Sequence, residues 1–382
     1  MKKKVLIFAG FYIPGIKGGG PIQSIKNLVD NLSDRVDFYI VAADRDLGDK
    51  KPFDNIKIDE WVQVGNAKVF YTDPSILKWR KTANVINSVN YDVIYLNSFF
   101  SYKFSTVPVL LSNFNLISRK PIIMAPRGQF SPGALGLKSR KKKLYINITK
   151  ALRLYKDITW HATADTEKKD IEIVFGNAEK ITVANNLTEN YEELYYDKNI
   201  NKKIGELKIV FISRVHPKKN LKKAIDFLKD IDGEIEFNIY GPLEDIAYWS
   251  ECEKSIGYLS EDKRVSYKGL VNHDNVMKIF KAHHVFLFPT LGENFGHVIS
   301  EALIGGCPII ISDQTPWREL ERNQVGWDIE LTDEERFVEV IQRCVNLDNE
   351  DYKRLSKYAF TYGKESSNSL EDILKSYRLF DK

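Results

Sequence analysis

The sequence predicts an α/β protein of two domains, each a parallel sheet with helices on its faces. Three observations carry that expectation. Short apolar strands alternate with helically spaced segments, an arrangement that builds parallel sheets covered on both sides. The alternation breaks off in a polar, charged stretch near the middle of the chain and then starts again. Finally, 382 residues exceed the roughly 250 to 300 at which a single core stops growing.

In chain order, strands are expected at 5–9, 36–43, 68–71, 93–97, 122–125, 159–162 and 181–183, because each is a short apolar run bounded by turn or polar residues. Helical spacing of apolar residues marks 22–32 and 144–155. Residues 1–190 are therefore read as an N-terminal domain. Asn, Lys, Asp and Tyr follow one another with little periodicity over 191–206, which reads as a linker. The pattern restarts with strands at 209–212, 235–240, 265–267, 285–288 and 308–311 and helices at 221–228, 276–282 and 297–304, within a C-terminal domain of 207–350. Helices at 333–345, 351–362 and 369–380 follow, and 351–382 is read as a closing helical segment.

Composition excludes several classes of function. With 56 basic against 52 acidic side chains the formal charge is +4, too balanced for a dedicated nucleic-acid binder. Cys252, Cys307 and Cys344 show no metal or redox spacing, so a reduced, cytoplasmic setting is expected. The apolar run 5–9 behind Lys2, Lys3 and Lys4 is too short for a signal-peptide core, and no stretch approaches the roughly 20 apolar residues of a membrane span.

The most informative segment runs from Phe288 through Pro289-Thr290-Leu291-Gly292-Glu293-Asn294-Phe295-Gly296-His297 to Leu303. A buried strand enters it, Gly292 and Gly296 open a turn, and a helix begins near His297. Glu293 then lies in the loop and Glu301 about one and a half turns into the helix. The free N–H groups and positive dipole end of such a helix favour an anion, phosphate above all. A second basic group follows strand 209–212, in Ser213-Arg214-Val215-His216-Pro217-Lys218-Lys219. Strand ends of this kind are where open α/β sheets bind ligands, and Arg with Lys suits a diphosphate.

Two acids eight positions apart around a helix start resemble the E-x7-E element of retaining glycosyltransferases of the GT-B fold, family 4. The resemblance extends over nearly the whole chain and is most specific in the second half. It implies two Rossmann-like domains facing across a cleft, with the last helix crossing back to the first domain. It implies a nucleotide-sugar donor, with Glu293 on the transferred sugar, Glu301 on the ribose, and Arg214 and Lys219 on the leaving diphosphate. Asn294, Phe295, Gly296 and His297 would line the donor at the helix start, Leu270 after Gly269 would meet the nucleobase, and Gly19 and Gly20 of the first glycine-rich loop would face the phosphates. No cofactor besides the donor is implied, and no metal: Asp44-Arg45-Asp46 and Asp230-Ile231-Asp232 read as polar loops. The acceptor would bind the first domain, near Arg127, where the family often has a histidine; an arginine there suits an anionic acceptor or anchors its own loop. His161, at the end of the next strand, reads as a hydrogen-bonded structural residue or as a second acceptor-side group.

The basic run at 138–143 leads into the amphipathic pattern up to Lys156, which suits peripheral contact with an anionic membrane face as well as a solvated surface. The expected activity is retaining transfer of a sugar to a saccharide or lipid-linked saccharide of a bacterial surface polysaccharide, without nucleic acid as partner. A nucleotide-sugar epimerase or hydrolase and a non-catalytic carbohydrate-binding protein are the alternatives. A dehydrogenase is disfavoured because neither first strand is followed by G-x-G-x-x-G.

Overall fold

The computed structural model describes residues 2–136, 139–176, 180–191 and 193–381. They form two compact units, Met1–Glu189 with Asn368–Lys382, and Asn190–Ser367.

The first unit contains eight strands: β1 (Lys3–Ala9), β2 (Val36–Ala43), β3 (Trp61–Val64), β4 (Ala67–Thr72), β5 (Val93–Asn97), β6 (Ile122–Ala125), β7 (Thr159–Ala162) and β8 (Ile181–Val183). They lie in the order β3-β4-β2-β1-β5-β6-β7-β8. All pairings are parallel except β3 with β4. Sequence reading missed β3, although Gly65, at φ 53°, and Asn66 make the two-residue turn that returns the chain as a hairpin.

The period of two along a strand divides each central strand between two cores. Leu6 and Phe8 of β1 point into one cluster with Ile94 and Leu96 of β5. Val5, Ile7 and Ala9 point into the other with Val93 and Tyr95. That second cluster is completed by the end of the chain. Helix Leu370–Arg378 starts at a reciprocal cap between Ser369 and Asp372, and Leu379 and Phe380 behind it are fully buried. Phe380 meets Phe38 and Tyr95 edge to face at 6.1 and 5.8 Å.

The second unit is a six-stranded sheet of β9 (Glu206–Ile212), β10 (Glu234–Tyr240), β11 (Lys263–Gly269), β12 (Val285–Phe288), β13 (Ile309–Ser312) and β14 (Gly326–Ile329). The order is β11-β10-β9-β12-β13-β14, parallel throughout. The strand succession therefore reverses between β9 and β12, and the loops leaving those two strands flank the crevice where such sheets bind ligands. β14 was not expected, because Gly326-Trp327-Asp328-Ile329 is too short and mixed to stand out. Helix Asn349–Glu365 packs on helix His297–Ile304 so closely that a Cβ on Gly363 would lie 2.8 Å from the Ile304 nitrogen.

The stretch read as a linker, 191–206, is instead fastened into the second unit by two lysines. Lys198 Nζ donates to the carbonyls of Phe280, His283 and Gly306 at 3.0, 2.6 and 3.0 Å. Lys202 Nζ donates to Lys203, Val345 and Leu347 at 2.8, 2.8 and 3.0 Å. An ammonium has three donors, and each of these finds three acceptors. Burial pulls both groups down to about 8.

Candidate active site

Because every strand of the second sheet runs the same way, the segments following Ile212, Tyr240, Gly269, Phe288 and Ser312 emerge at one edge. The loop after β9 turns through a short 3-10 helix, Pro217–Lys219. His216 caps it, its Nδ1 accepting from the Lys218 N–H at 3.1 Å. Asn220 follows in the left-handed region, φ 58°, and its side-chain amide donates to the Pro289 carbonyl at 2.9 Å. The Leu291 N–H and the Thr290 hydroxyl both donate to the Lys218 carbonyl, at 2.9 and 3.1 Å. The loops of β9 and β12 are thus laced together by one backbone and two side-chain hydrogen bonds.

That lacing puts Lys219 against Glu293. Their side chains form an ion pair and are only 11% and 14% exposed, and the ammonium sits 5.5 Å from the centre of the Phe288 ring. The Glu293 N–H donates to the Gln314 carbonyl beyond β13 at 2.8 Å. Gly296 caps helix His297–Ile304 at φ 78°, and a Cβ there would come within 2.8 Å of Ile299 and 3.7 Å of Glu293 Cγ. Glycine is thus required by backbone and packing alike. Phe295 braces the turn: its carbonyl accepts the Trp317 indole N–H at 2.8 Å and its ring packs on His297 at 4.8 Å. His297 is buried, and Asn294 is half-buried in the loop.

Arg214 stands two residues beyond β9 and pairs with Glu244 at 2.5 Å, both side chains about one third exposed. Glu244 was not singled out from sequence, though an acid just after Gly241-Pro242 at a strand end is a signal of the right kind. Gly241 brings the ends of β9 and β10 together: at φ 131° its Cβ position lies 2.0 Å from the Ser213 carbonyl oxygen, which no side chain can occupy. Glu301 faces His273, Oε1 to Nδ1 3.9 Å. His273 opens the helix three residues after Leu270, which is 48% exposed behind Gly269. The four charged groups read from sequence therefore share one sheet edge, and Glu244 and His273 join them there.

The first unit presents a different chemistry at its carboxyl edge. Arg127, at φ 57°, donates from Nε to Asn97 at 2.7 Å, from Nη1 to Asn186 and from Nη2 to the Tyr95 hydroxyl at 2.8 Å. All three acceptors are neutral. His161 is buried, with Nε2 2.8 Å from the Ala184 carbonyl and Nδ1 2.8 Å from the Tyr95 hydroxyl. A carbonyl only accepts, so Nε2 carries the proton and Nδ1 accepts from the tyrosine. Burial, reinforced by the Arg127 charge, pushes the imidazole down to about 3, so it is neutral at physiological pH. Both ring nitrogens are committed to the protein, and His161 positions Tyr95 and, through it, Arg127.

Gly19 caps helix Gly20–Leu32 at φ 62°, with open space where its Cβ would be. The glycine loop before it is held by Asp46, whose Oδ2 accepts the Ile16 and Lys17 N–H groups at 2.7 and 2.9 Å. Asp44 pairs with Arg45 at 2.6 Å and is buried. Asp46 thus anchors the glycine loop, and Asp44 its neighbouring arginine. Among the described residues no helix is long and apolar enough to cross a membrane.

Residues 195–362 match the family model described as Glycosyl transferases group 1. An uncharacterized protein of the cps region of Klebsiella pneumoniae is 24% identical over 306 residues, 75% of this chain and 79% of that protein. An uncharacterized glycosyltransferase of Methanocaldococcus jannaschii is 23% identical over 358 residues, 85% of this chain and 84% of its own length. Of solved structures, Anabaena HepE in complex with UDP-glucose aligns with a TM-score of 0.70 at 17% identity, covering 99% of each chain. Sucrose-phosphate synthase of Thermosynechococcus elongatus aligns at 0.72 and 15%, covering 100% of this chain and 98% of its own. The chain has the GT-B fold of these proteins, two Rossmann-like α/β domains with the last helix returned to the first.

Proposed function

We propose that this protein is a retaining glycosyltransferase that moves a sugar from a nucleoside-diphosphate donor to a hydroxyl of a saccharide, in the assembly of a bacterial-type surface polysaccharide. One observation carries the reading: Arg214, Lys219, Glu293, Glu301 and the start of helix His297–Ile304 meet at the edge of the second sheet where its strand order reverses. Two cations and a helix N-terminus suit a diphosphate whose charge grows as it leaves. They supply this without a metal ion, so activity is expected to persist in EDTA. Glu293 would take hydroxyls of the transferred sugar and Glu301 those of the ribose, with Leu270 under the base.

In the transfer, the bond from the anomeric carbon to the diphosphate oxygen breaks and a bond to the acceptor oxygen forms on the same face. The acceptor proton passes to the departing phosphate oxygen. The polysaccharide setting is supported by the relative from a cps region, and the donor class by the UDP-glucose held in HepE.

The test is a screen of UDP-, GDP- and ADP-sugars by thermal shift, where a ligand at about a hundred times its dissociation constant adds about 2.7 kcal/mol. Product analysis by NMR follows. A glycoside with the donor's anomeric configuration is expected. Free sugar or its epimer with nucleoside diphosphate, and no glycoside with any acceptor, would replace the transferase reading with an epimerase or hydrolase.

A further inference from the structure

Helix Ser139–Ala151 has apolar residues on two sides. One side is used by the fold: Ile146 and Thr149 are buried, and the Tyr145 hydroxyl lies 2.6 Å from Thr106 Oγ1 and 2.9 Å from the Tyr155 hydroxyl. The other side faces outward. Leu144 and Ile148, with Leu152 just past the helix, are 62%, 49% and 69% exposed. Spaced by four, they form one row rather than scattered singles. Asn113 Nδ2 donates to the Leu154 carbonyl at 3.0 Å, which ties the end of helix Val107–Asn113 to the chain two residues past Leu152. Phe114 and Leu116, 61% and 53% exposed, follow directly.

Cations bracket the row: Arg140, Lys141 and Lys143 before it and Arg153 and Lys156 after it are all exposed. Among the described residues none of the five has an ion-pair partner. The basic run is thereby redrawn. Lys142 is committed to the Ala134 carbonyl at 2.5 Å and to the Phe100 ring, Lys150 to the Val174 carbonyl at 2.7 Å, and Lys138 lies outside the described residues.

We propose that this face docks on an anionic lipid bilayer, with Leu144, Ile148 and Leu152 in the boundary between headgroups and acyl chains and the cations against lipid phosphates. A soluble polyanion would engage the cations and leave the aliphatic row in water. A neutral apolar partner would bury the row and leave five like charges uncompensated. An anionic bilayer matches both features at once. The proposal stands independently of the sugar-transfer reading.

The experiment is co-sedimentation of the full chain with phosphatidylcholine vesicles, alone or mixed with phosphatidylglycerol, at low and high salt. Binding is expected with the anionic vesicles and should weaken in salt. Lys141→Glu with Lys143→Glu should weaken it at least about 25-fold, from about fivefold per cation near the surface. Leu144→Ser with Ile148→Ser and Leu152→Ser should abolish it, and since all three side chains are exposed the fold survives, as circular dichroism would verify. Equal pelleting with both vesicle types overturns the proposal, as does no pelleting. Loss of binding in the charge variant but not in the serine variant would mean a polyanion site instead. Transfer to a soluble saccharide should be unchanged in both variants, so failure here leaves the transferase reading intact.

Discussion

Replacing Glu293 with glutamine removes one negative charge yet leaves an oxygen for the Lys219 ammonium to meet. The pair is closed and largely shielded, at 11% and 14% side-chain exposure, so a diphosphate must take Lys219 away from the carboxylate and sit beside it. Two like charges repel by about 4 kcal/mol at 4 Å and about 2 kcal/mol at 8 Å for an effective dielectric of 20. Water and Arg214 offset part of this, leaving a net gain of about 1 to 2 kcal/mol for the glutamine variant. Free UDP, GDP or ADP, whichever base the site accepts, should therefore bind about five- to thirtyfold more tightly to Glu293→Gln than to the natural chain. Turnover of the sugar donor should fall in the same variant, because the carboxylate that would hold the sugar hydroxyls is gone. Titration calorimetry and initial rates measure the two effects separately. Nucleoside diphosphate binding that is unchanged or weaker in Glu293→Gln would refute the placement of the diphosphate at Lys219. A gain that persists when Lys219→Met is also present would refute competition for the lysine as its cause.

Gly241→Ala should cost about 3 kcal/mol or more in urea unfolding and displace Arg214, since its Cβ would overlap the Ser213 carbonyl. Gly269→Ala, at φ 84° with open space around it, should cost only about 1 to 2 kcal/mol, and equal losses would refute the packing argument. Lys198→Met leaves three carbonyls without their donor and should lower unfolding stability by about 3 kcal/mol; a neutral result would make 191–206 the loose connection its composition suggests. His161 and His284 are both held near 3 by burial, so the unfolded chain, titrating near 6.5, binds more protons than the folded one between those values. Their contribution is intact above pH 6.5 and is lost on acidification towards pH 3, about 1.4 kcal/mol per pH unit for each. Imidazole NMR should show both rings as the neutral Nε2–H tautomer from pH 8 to 5, and titration of either near 6.5 would contradict this.

Much of the molecule was legible in local sequence. Alternation along β1 and β5, the glycine turn before His297 and the basic loop after β9 are properties of neighbouring residues, and they named Arg214, Lys219, Glu293 and Glu301 before any fold was in view. Tertiary structure decided what those groups face. Glu244 against Arg214 and His273 against Glu301 are 30 and 28 positions away in the chain, and no spacing rule pairs them. The same holds for charge. The local sequence around Lys198, Lys202 and Lys142 gives no sign that their ammonium groups end on carbonyls. It leaves Arg127 and His161 open between acceptor contact and structural anchoring, and the hydrogen bonds show that both perform the anchoring. Whether a polar side chain is solvated or spent on buried carbonyls depends on which distant backbone atoms packing brings within about 3 Å, and composition carries no record of that.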